Sequence, residues 1–352
     1  MDDSDYSSLG PVYQVFSGAV HTRFEHSLGV GYMVQTMMEH FKQIQQSELL
    51  IDDIDKQNVV IAGLCNDLGQ GIYSHFFDRL LIPTLDPKLK WDYKDASIMM
   101  LDSLIDKNNI DLDDKDLKQI KELIRGQYDS SKSCINPSKA WLFDLQRYNM
   151  FKQVYCHKVC QAVSLMFLDA LVNVNPHYQF IQNLTNPDAY FNFTDPIIKY
   201  IASNKSKPEF QISQQILQRI SKRDLYKFVG EKLMDTQDYM KISDKINIQD
   251  LINCQDPSDG NFLKQDDVSL YQFGINYGYG IQNPVDLVQF YERSTTINEG
   301  TGILSETYQN NRLSLMPNQF SESYIRLFVK QEKNLKTAQD AFKKYFEKHI
   351  GI

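Results

Sequence analysis

The 352-residue sequence lacks several things that would place it in a special class. No stretch approaches the ~18 consecutive apolar residues that a membrane-crossing helix requires. No leader is expected, since Met1-Asp2-Asp3-Ser4-Asp5 is acidic and no apolar run comes after it. Basic charge is not in excess either. The 37 Lys and Arg against 45 Asp and Glu leave a net charge of −8. This argues against a nucleic-acid backbone as main partner, because phosphate binding needs a local surplus of Lys and Arg. A disulfide framework is also missing, since the five cysteines are odd in number and share no repeated spacing, as in reduced thiols of an intracellular protein. Cys156 and Cys160 lie four apart on an expected helix, but no second thiol pair or His-x-x-His accompanies them, so they read as core cysteines. The expectation is a soluble intracellular chain, cytoplasmic by default, with no nucleic-acid partner and no membrane span.

What is present suits a mainly α protein. With 42% apolar residues the chain can bury one large core or two modest ones. Phe24, Leu28, Tyr32, Met33 and Phe41 share one helical face, beginning just after Thr22, a suitable N-cap. Further helices are expected over 54–67, 95–105 and 113–125, then a polar break from Gly126 to Pro137, then a long helix over 144–174 that stops before Asn175-Pro176. After an Asn/Asp/Pro-rich connector at 183–195 comes a short helix, Ser213–Ile220. Alternation predicts strands over Ser269–Tyr279 and Val285–Tyr291, and a closing amphipathic helix runs over 319–346. This gives a helical core over residues 1–180 and a smaller C-terminal α+β lobe over 181–352.

Two segments carry chemistry. One is His21-Thr22-Arg23-Phe24-Glu25-His26-Ser27-Leu28-Gly29; the other is Gly63-Leu64-Cys65-Asn66-Asp67-Leu68-Gly69-Gln70-Gly71-Ile72-Tyr73-Ser74-His75. Both place His and carboxylate groups at helix ends, among small residues that permit close backbone approach. A His on one helix and an Asp closing the next can share a metal. Alternatively, His26 and Asp67 form a hydrogen-bonded pair that fixes two helices together.

The run Arg23 to Tyr32 and the pattern from Ile61 to His75 resemble the HD-domain superfamily. More closely they resemble the deoxynucleoside triphosphate triphosphohydrolases that in animals carry an N-terminal SAM domain. The similarity continues at Lys90-Trp91, Ser97-Ile98-Met99-Met100, Tyr155-Cys156-His157-Lys158-Val159 and 224–231, then at Tyr277-Gly278-Tyr279, Asn283-Pro284 and 316–320. It thus spans nearly the whole chain and implies an HD-domain helical core. That family holds a divalent metal with a His, an adjacent His-Asp doublet and a distant Asp. His26 matches the first ligand and Asp67 the doublet's Asp, but Asn66 stands at the doublet's His, and a neutral amide is a poor substitute for imidazole. The distant Asp belongs to a segment between the counterparts of Arg125 and Trp141. Here that stretch is short and polar, and Asp129 within it lacks the family's surroundings.

The resemblance carries further changes. Gln70 and Tyr93 stand at two histidines around the family's reaction centre, and Phe151 at one of the substrate pocket. His75, Asp78 and Arg23 remain, the last at the place of an arginine that approaches a substrate phosphate. The family's activating guanine nucleotide is read by a segment preceding the counterpart of Leu9-Gly10-Pro11. Tyr155, His157 and Lys158 match residues near its nucleotide-binding interface, and read equally as helix surface and cap. The expectation is a catalytically inactive homologue, a structural or interaction subunit among other protein subunits, with vestigial His26, Asp67, His75 and Asp78 and no cofactor. The alternatives are a metal-dependent phosphohydrolase recruiting Asp129 or Asp144, and a nucleotide-binding regulator without turnover.

Overall fold

The computed structural model describes residues 9–44, 50–126, 151–243, 246–256, 262–277, 280–282 and 319–350. The chain divides into two compact units, residues 1–133 with 163–224, and residues 134–162 with 225–352. The described part of the first is helical; the second holds a three-stranded antiparallel sheet. The protein is therefore mainly α with a small α+β part. The strand expected at Val285–Tyr291 falls outside the described residues, as do Asp129, Asp144 and Cys134.

In the first unit α1 (Arg23–Ile44) and α2 (Asp53–Cys65) pack together, followed by α3 (Tyr93–Asn108) and α4 (Asp114–Arg125). Their starts are written in the sequence. Glu25 N–H donates to Thr22 Oγ1 at 3.3 Å while Thr22 N–H donates to Glu25 Oε2 at 3.0 Å, a reciprocal cap. Asp52 and Asp55 close the same motif on α2, and Asp92 and Asp113 cap α3 and α4. Each such cap stabilises its helix by ~1 kcal/mol. Ala62, Ile98, Leu101, Ile120 and Ile124 form the core shared by α2, α3 and α4. Gly31 permits close approach of α1 to α2, because a Cβ there would lie 2.5 Å from Leu64 Cδ2.

The face of α1 that holds Phe24, Leu28, Tyr32 and Met33 is exposed; the buried side consists of Arg23, Ser27, Gly31 and Met38. The expected helix at 144–174 is also corrected in its described part. Phe151–Tyr155 forms one wide turn, in which Cys156 N–H donates to Phe151 O, five residues back, at 2.8 Å. The helix proper, α5, runs Lys158–Tyr178 and passes through Pro176. Gln179 N–H donates to Asn175 O at 2.7 Å and Phe180 N–H to Asn175 Oδ1 at 3.1 Å, so bonds beyond the proline close the last turn. By length and composition alone α5 could cross a membrane, but 61% of its most apolar stretch is buried inside the fold. Val163, Met166, Ala170 and Leu171 are fully enclosed, as in a central core helix. Cys156 and Cys160 are buried, and burial pushes the Cys160 thiol up to about 11. Helices α6 (Pro196–Ser203) and α7 (Gln211–Ser221) complete the unit.

The second unit is built on β1 (Lys227–Asp235), β2 (Val268–Asn276) and β3 (Ser321–Val329), in the order β1-β3-β2. The single helix expected over 319–346 is therefore a strand followed by α8 (Leu335–Ile350). Tyr324, Leu327 and Phe328 mimic helical spacing because both faces of a central strand are buried. Ile325, Leu327 and Val329 join the core with Ala338, Ala341 and Phe342 of α8, while Tyr324 packs with Cys156, Ile275 and Tyr277. The strand expected over Ser269–Tyr279 is β2, and β1 is not among the expected elements; its register on β3 shifts at a bulge between Phe228 and Gly230.

Candidate functional site

The first unit gathers the motif residues at the start of α1 and in the turn after α2. Asn66 ends α2 in helical conformation, so Asp67 leaves the last turn next to α1. Gly69 anchors the turn beyond it. The Gly69 N–H donates to Ser97 Oγ at 2.9 Å and its carbonyl accepts Tyr190 OH at 2.6 Å. A Cβ on Gly69 would lie 2.1 Å from Ser97 N and 2.3 Å from Tyr93 O, so only glycine fits. Ser97 Oγ also lies 2.8 Å from Asn66 O and 3.0 Å from Tyr93 O, and donates its one proton to either.

Tyr73 and Ser74 are both buried with positive φ, +53° and +56°. Left-handed backbone at two successive non-glycine residues costs ~1–3 kcal/mol each and persists only when its surroundings enforce it. Here Tyr73 N–H donates to Asp195 Oδ1 at 2.6 Å and its hydroxyl meets Tyr13 OH at 3.1 Å. The consequence is local: Ser74 Oγ accepts Arg23 Nε at 2.9 Å. Ser74 and Ser97 stood in the sequence motifs without a role; their hydroxyls shape this site.

Asp67 is the hub. Its Oδ2 accepts from Arg23 Nη1 in a direct ion pair and lies 3.3 Å from His26 Nε2; its Oδ1 accepts Asn66 Nδ2 at 3.2 Å. The Arg23 and Asp67 side chains are 8% and 9% exposed, whereas His26 is half exposed. Burial pushes the Asp67 carboxyl up, but the His26 hydrogen bond and the Arg23 charge outweigh it and hold it below the ordinary carboxylate range. The structure thus brings His26 and Asp67 together, as both arrangements open from the sequence require, and adds Arg23 to them. His75 Nδ1 and Asp78 Oδ2 are 3.3 Å apart, and Tyr93 presents its ring to His75 at 6.0 Å. Burial, then the Asp67, Asp92 and Asp78 charges, raise the Tyr93 hydroxyl above its usual range. Gln70 is buried, and its Oε1, like Asp78 Oδ1, has no hydrogen-bond partner among the described residues. Among those residues no three His, Cys, Asp or Glu side chains converge as metal ligands would.

Arg23 lies in the first unit; Tyr155, His157 and Lys158 are described with the second. Lys158 Nζ sits 5.1 Å over the Phe228 ring, and His157 Nδ1 accepts Val159 N–H at 3.3 Å. Desolvation, then the Lys158 and Arg326 charges, lower the His157 pKa. Phe151 packs its ring edge-on to Tyr155 at 5.3 Å. Sequence reasoning missed Arg326, which is buried on β3. It donates to Glu231 at 2.8 Å, to Gln161 at 2.7 Å and to the Cys156 carbonyl, with the Phe273 ring 4.9 Å away.

No protein-family model matches the chain. Curated relatives do. The deoxynucleoside triphosphate triphosphohydrolase SAMHD1 homolog of Dictyostelium discoideum is 28% identical over 401 residues, covering 98% of this chain and 75% of the relative. The chain is a homologue of the SAMHD1 triphosphohydrolases. SAMHD1 of Homo sapiens is 28% identical over 95% of this chain and 67% of its own length. A protein of Acanthamoeba polyphaga mimivirus, described only as HD domain-containing, is 25% identical over 83% of this chain. The HD-domain resemblance is therefore supported by relatives of two kinds. The span shared with the Dictyostelium SAMHD1 homolog, 401 residues, exceeds the 352 of this chain, so that relative carries residues within the span that this chain lacks.

Proposed function

We propose that this chain is a non-catalytic homologue of the SAMHD1 triphosphohydrolases, which keeps the HD-domain fold as a scaffold or interaction subunit. The observation that carries the reading is the buried ion pair of Arg23 with Asp67. The carboxylate that the resemblance assigns to a metal is already neutralised by a guanidinium from its own chain. Among the described residues the donor set is poor for a divalent cation: His26 and Asp67 supply two ligands, and Asn66 offers only an amide, which points its nitrogen at Asp67. Loss of even one residue behind a ligand commonly costs ~10–100-fold in metal affinity, so loss of a direct ligand costs at least that.

The acceptors of the site oppose a bound triphosphate without a cation. Phosphate oxygens only accept hydrogen bonds, and Asp67, Asp78 and the Gln70 carbonyl are acceptors too. His75 and Asp78 keep the geometry of an acid–base pair, but such a pair does not supply the charge with which a metal lowers the pKa of an attacking water. Purified chain incubated with each dNTP and Mn²⁺ or Fe²⁺ is expected to release no triphosphate. Release that disappears in His26→Ala would refute the proposal.

A further inference from the structure

One face of the sheet in the second unit packs on α8, and toward one end that face changes character. Along β3, Ile325, Leu327 and Val329 are buried among apolar side chains, but the next positions on the same face are Ser323 and Ser321. Gly274 of β2 stands opposite Ser323, and Thr236 opens the short helix Thr236–Ile242 beside the two serines. These small residues line a cavity of about 500 Å³. Its floor is three hydroxyls, each on a side chain more than nine-tenths buried. Thr236 Oγ1 lies 2.7 Å from Ser321 Oγ and 3.1 Å from Ser323 Oγ. Three O–H groups thus share two hydrogen bonds, and among the described residues nothing accepts the third proton. Folded proteins rarely leave such a donor unspent in a buried place. The glycine is a second sign. Gly inside a strand weakens it and often marks the close approach of a ligand. Packing does not demand it here, since a Cβ on Gly274 would meet Glu322 O at 3.7 Å and Ser323 Oγ at 3.9 Å, both ordinary contacts.

We propose that this cavity binds an uncharged nucleoside. No Lys, Arg, Asp or Glu lines it, so a phosphate entering it would meet no counter-charge. The unspent O–H on the floor calls for an acceptor, which a ring nitrogen, a carbonyl or a sugar oxygen supplies. Tyr239 forms a wall, fixed by donation of its hydroxyl to Gln272 Oε1 at 2.8 Å, and offers an aromatic ring on which a base can stack. Met240 and Ile281 stand exposed at the mouth, apolar surface that a planar base would cover. The exposed Gln282 amide beside them carries both donor and acceptor, as the edge of a base does. A free sugar would satisfy the floor but lacks the planar ring that the wall and mouth fit. All the lining residues belong to the second unit, so the inference does not depend on whether the Asp67 site turns over any substrate.

Calorimetric titration of the full chain with adenosine, guanosine, cytidine and uridine tests this. At least one is expected to bind at one site per chain with a dissociation constant below about 1 mM. The matching 5′-monophosphate should bind at least ~10-fold more weakly. Gly274→Val fills the cavity and suits a strand better than glycine. It should abolish binding while the melting temperature stays level or rises, a combination that loss of fold would not give. Met240→Glu, at the exposed mouth, should weaken binding ~10-fold with stability unchanged. Failure of all four nucleosides to bind at millimolar concentration overturns the proposal. So does binding that both substitutions leave intact, or a monophosphate bound as tightly as its nucleoside. Should Gly274→Val fail to fold, Met240→Glu decides alone.

Discussion

Replacing Arg23 by Gln removes the guanidinium from Asp67 and from Ser74 while keeping a side chain of related length. Asp67 would remain buried, held only by a half-exposed His26 and the Asn66 amide. Breaking a buried ion pair from one side costs about 3–5 kcal/mol, since the surviving charge stays desolvated. At roughly 2–4 °C per kcal/mol for a unit of this size, the melting temperature should fall by ~6–20 °C. Replacing both partners, Arg23→Met with Asp67→Leu, should recover most of that loss, because no orphaned charge is left. The assay is thermal and urea unfolding of the two single variants and the double, analysed as a cycle. A coupling of at least ~2 kcal/mol is expected. An Arg23→Gln variant within ~0.5 kcal/mol of the parent would refute the view that this pair organises the site.

Acid should weaken the same contact. The folded-state pKa of Asp67 is depressed, so its contribution is fully present above the unfolded value and is lost as pH falls through the folded one. Urea midpoints of the parent should drop more steeply below about pH 4 than those of Asp67→Asn. Gly69→Ala places a methyl against the Ser97 and Tyr93 backbone, which cannot rotate away, and should cost ~3 kcal/mol or more, read as a lowered melting temperature or loss of soluble protein. Asn66→His rebuilds the His-Asp doublet but leaves Arg23 on Asp67; added Mn²⁺ should still give less than ~1 kcal/mol of thermal stabilisation.

Much of the first unit is legible in the sequence because its signals are local. Thr22, Asp52, Asp92 and Asp113 each precede a helix by one residue and cap it. Which face a helix buries is not local. The apolar residues of α1 mark an obvious stripe, yet Gly31 and Ser27 face inward because small residues are what α2 packs against. Strand β3 misleads for the opposite reason: burial on both faces erases alternation and leaves a pattern indistinguishable from helical spacing. In the site, the approach of His26 to Asp67 is implicit in the two motifs. The Arg23 contact is not, since it depends on the left-handed turn at Tyr73-Ser74 that holds the guanidinium from its other side.

Metal binding at Asp67 is the property that separates a silent site from a working one. Chain purified without chelator, exposed to Mn²⁺ or Fe²⁺ and desalted can be assayed for bound metal by mass spectrometry, beside His26→Ala. With Arg23 holding the carboxylate, substoichiometric metal is expected, the same in both proteins. One ion per chain that vanishes with His26→Ala would contradict a non-catalytic site.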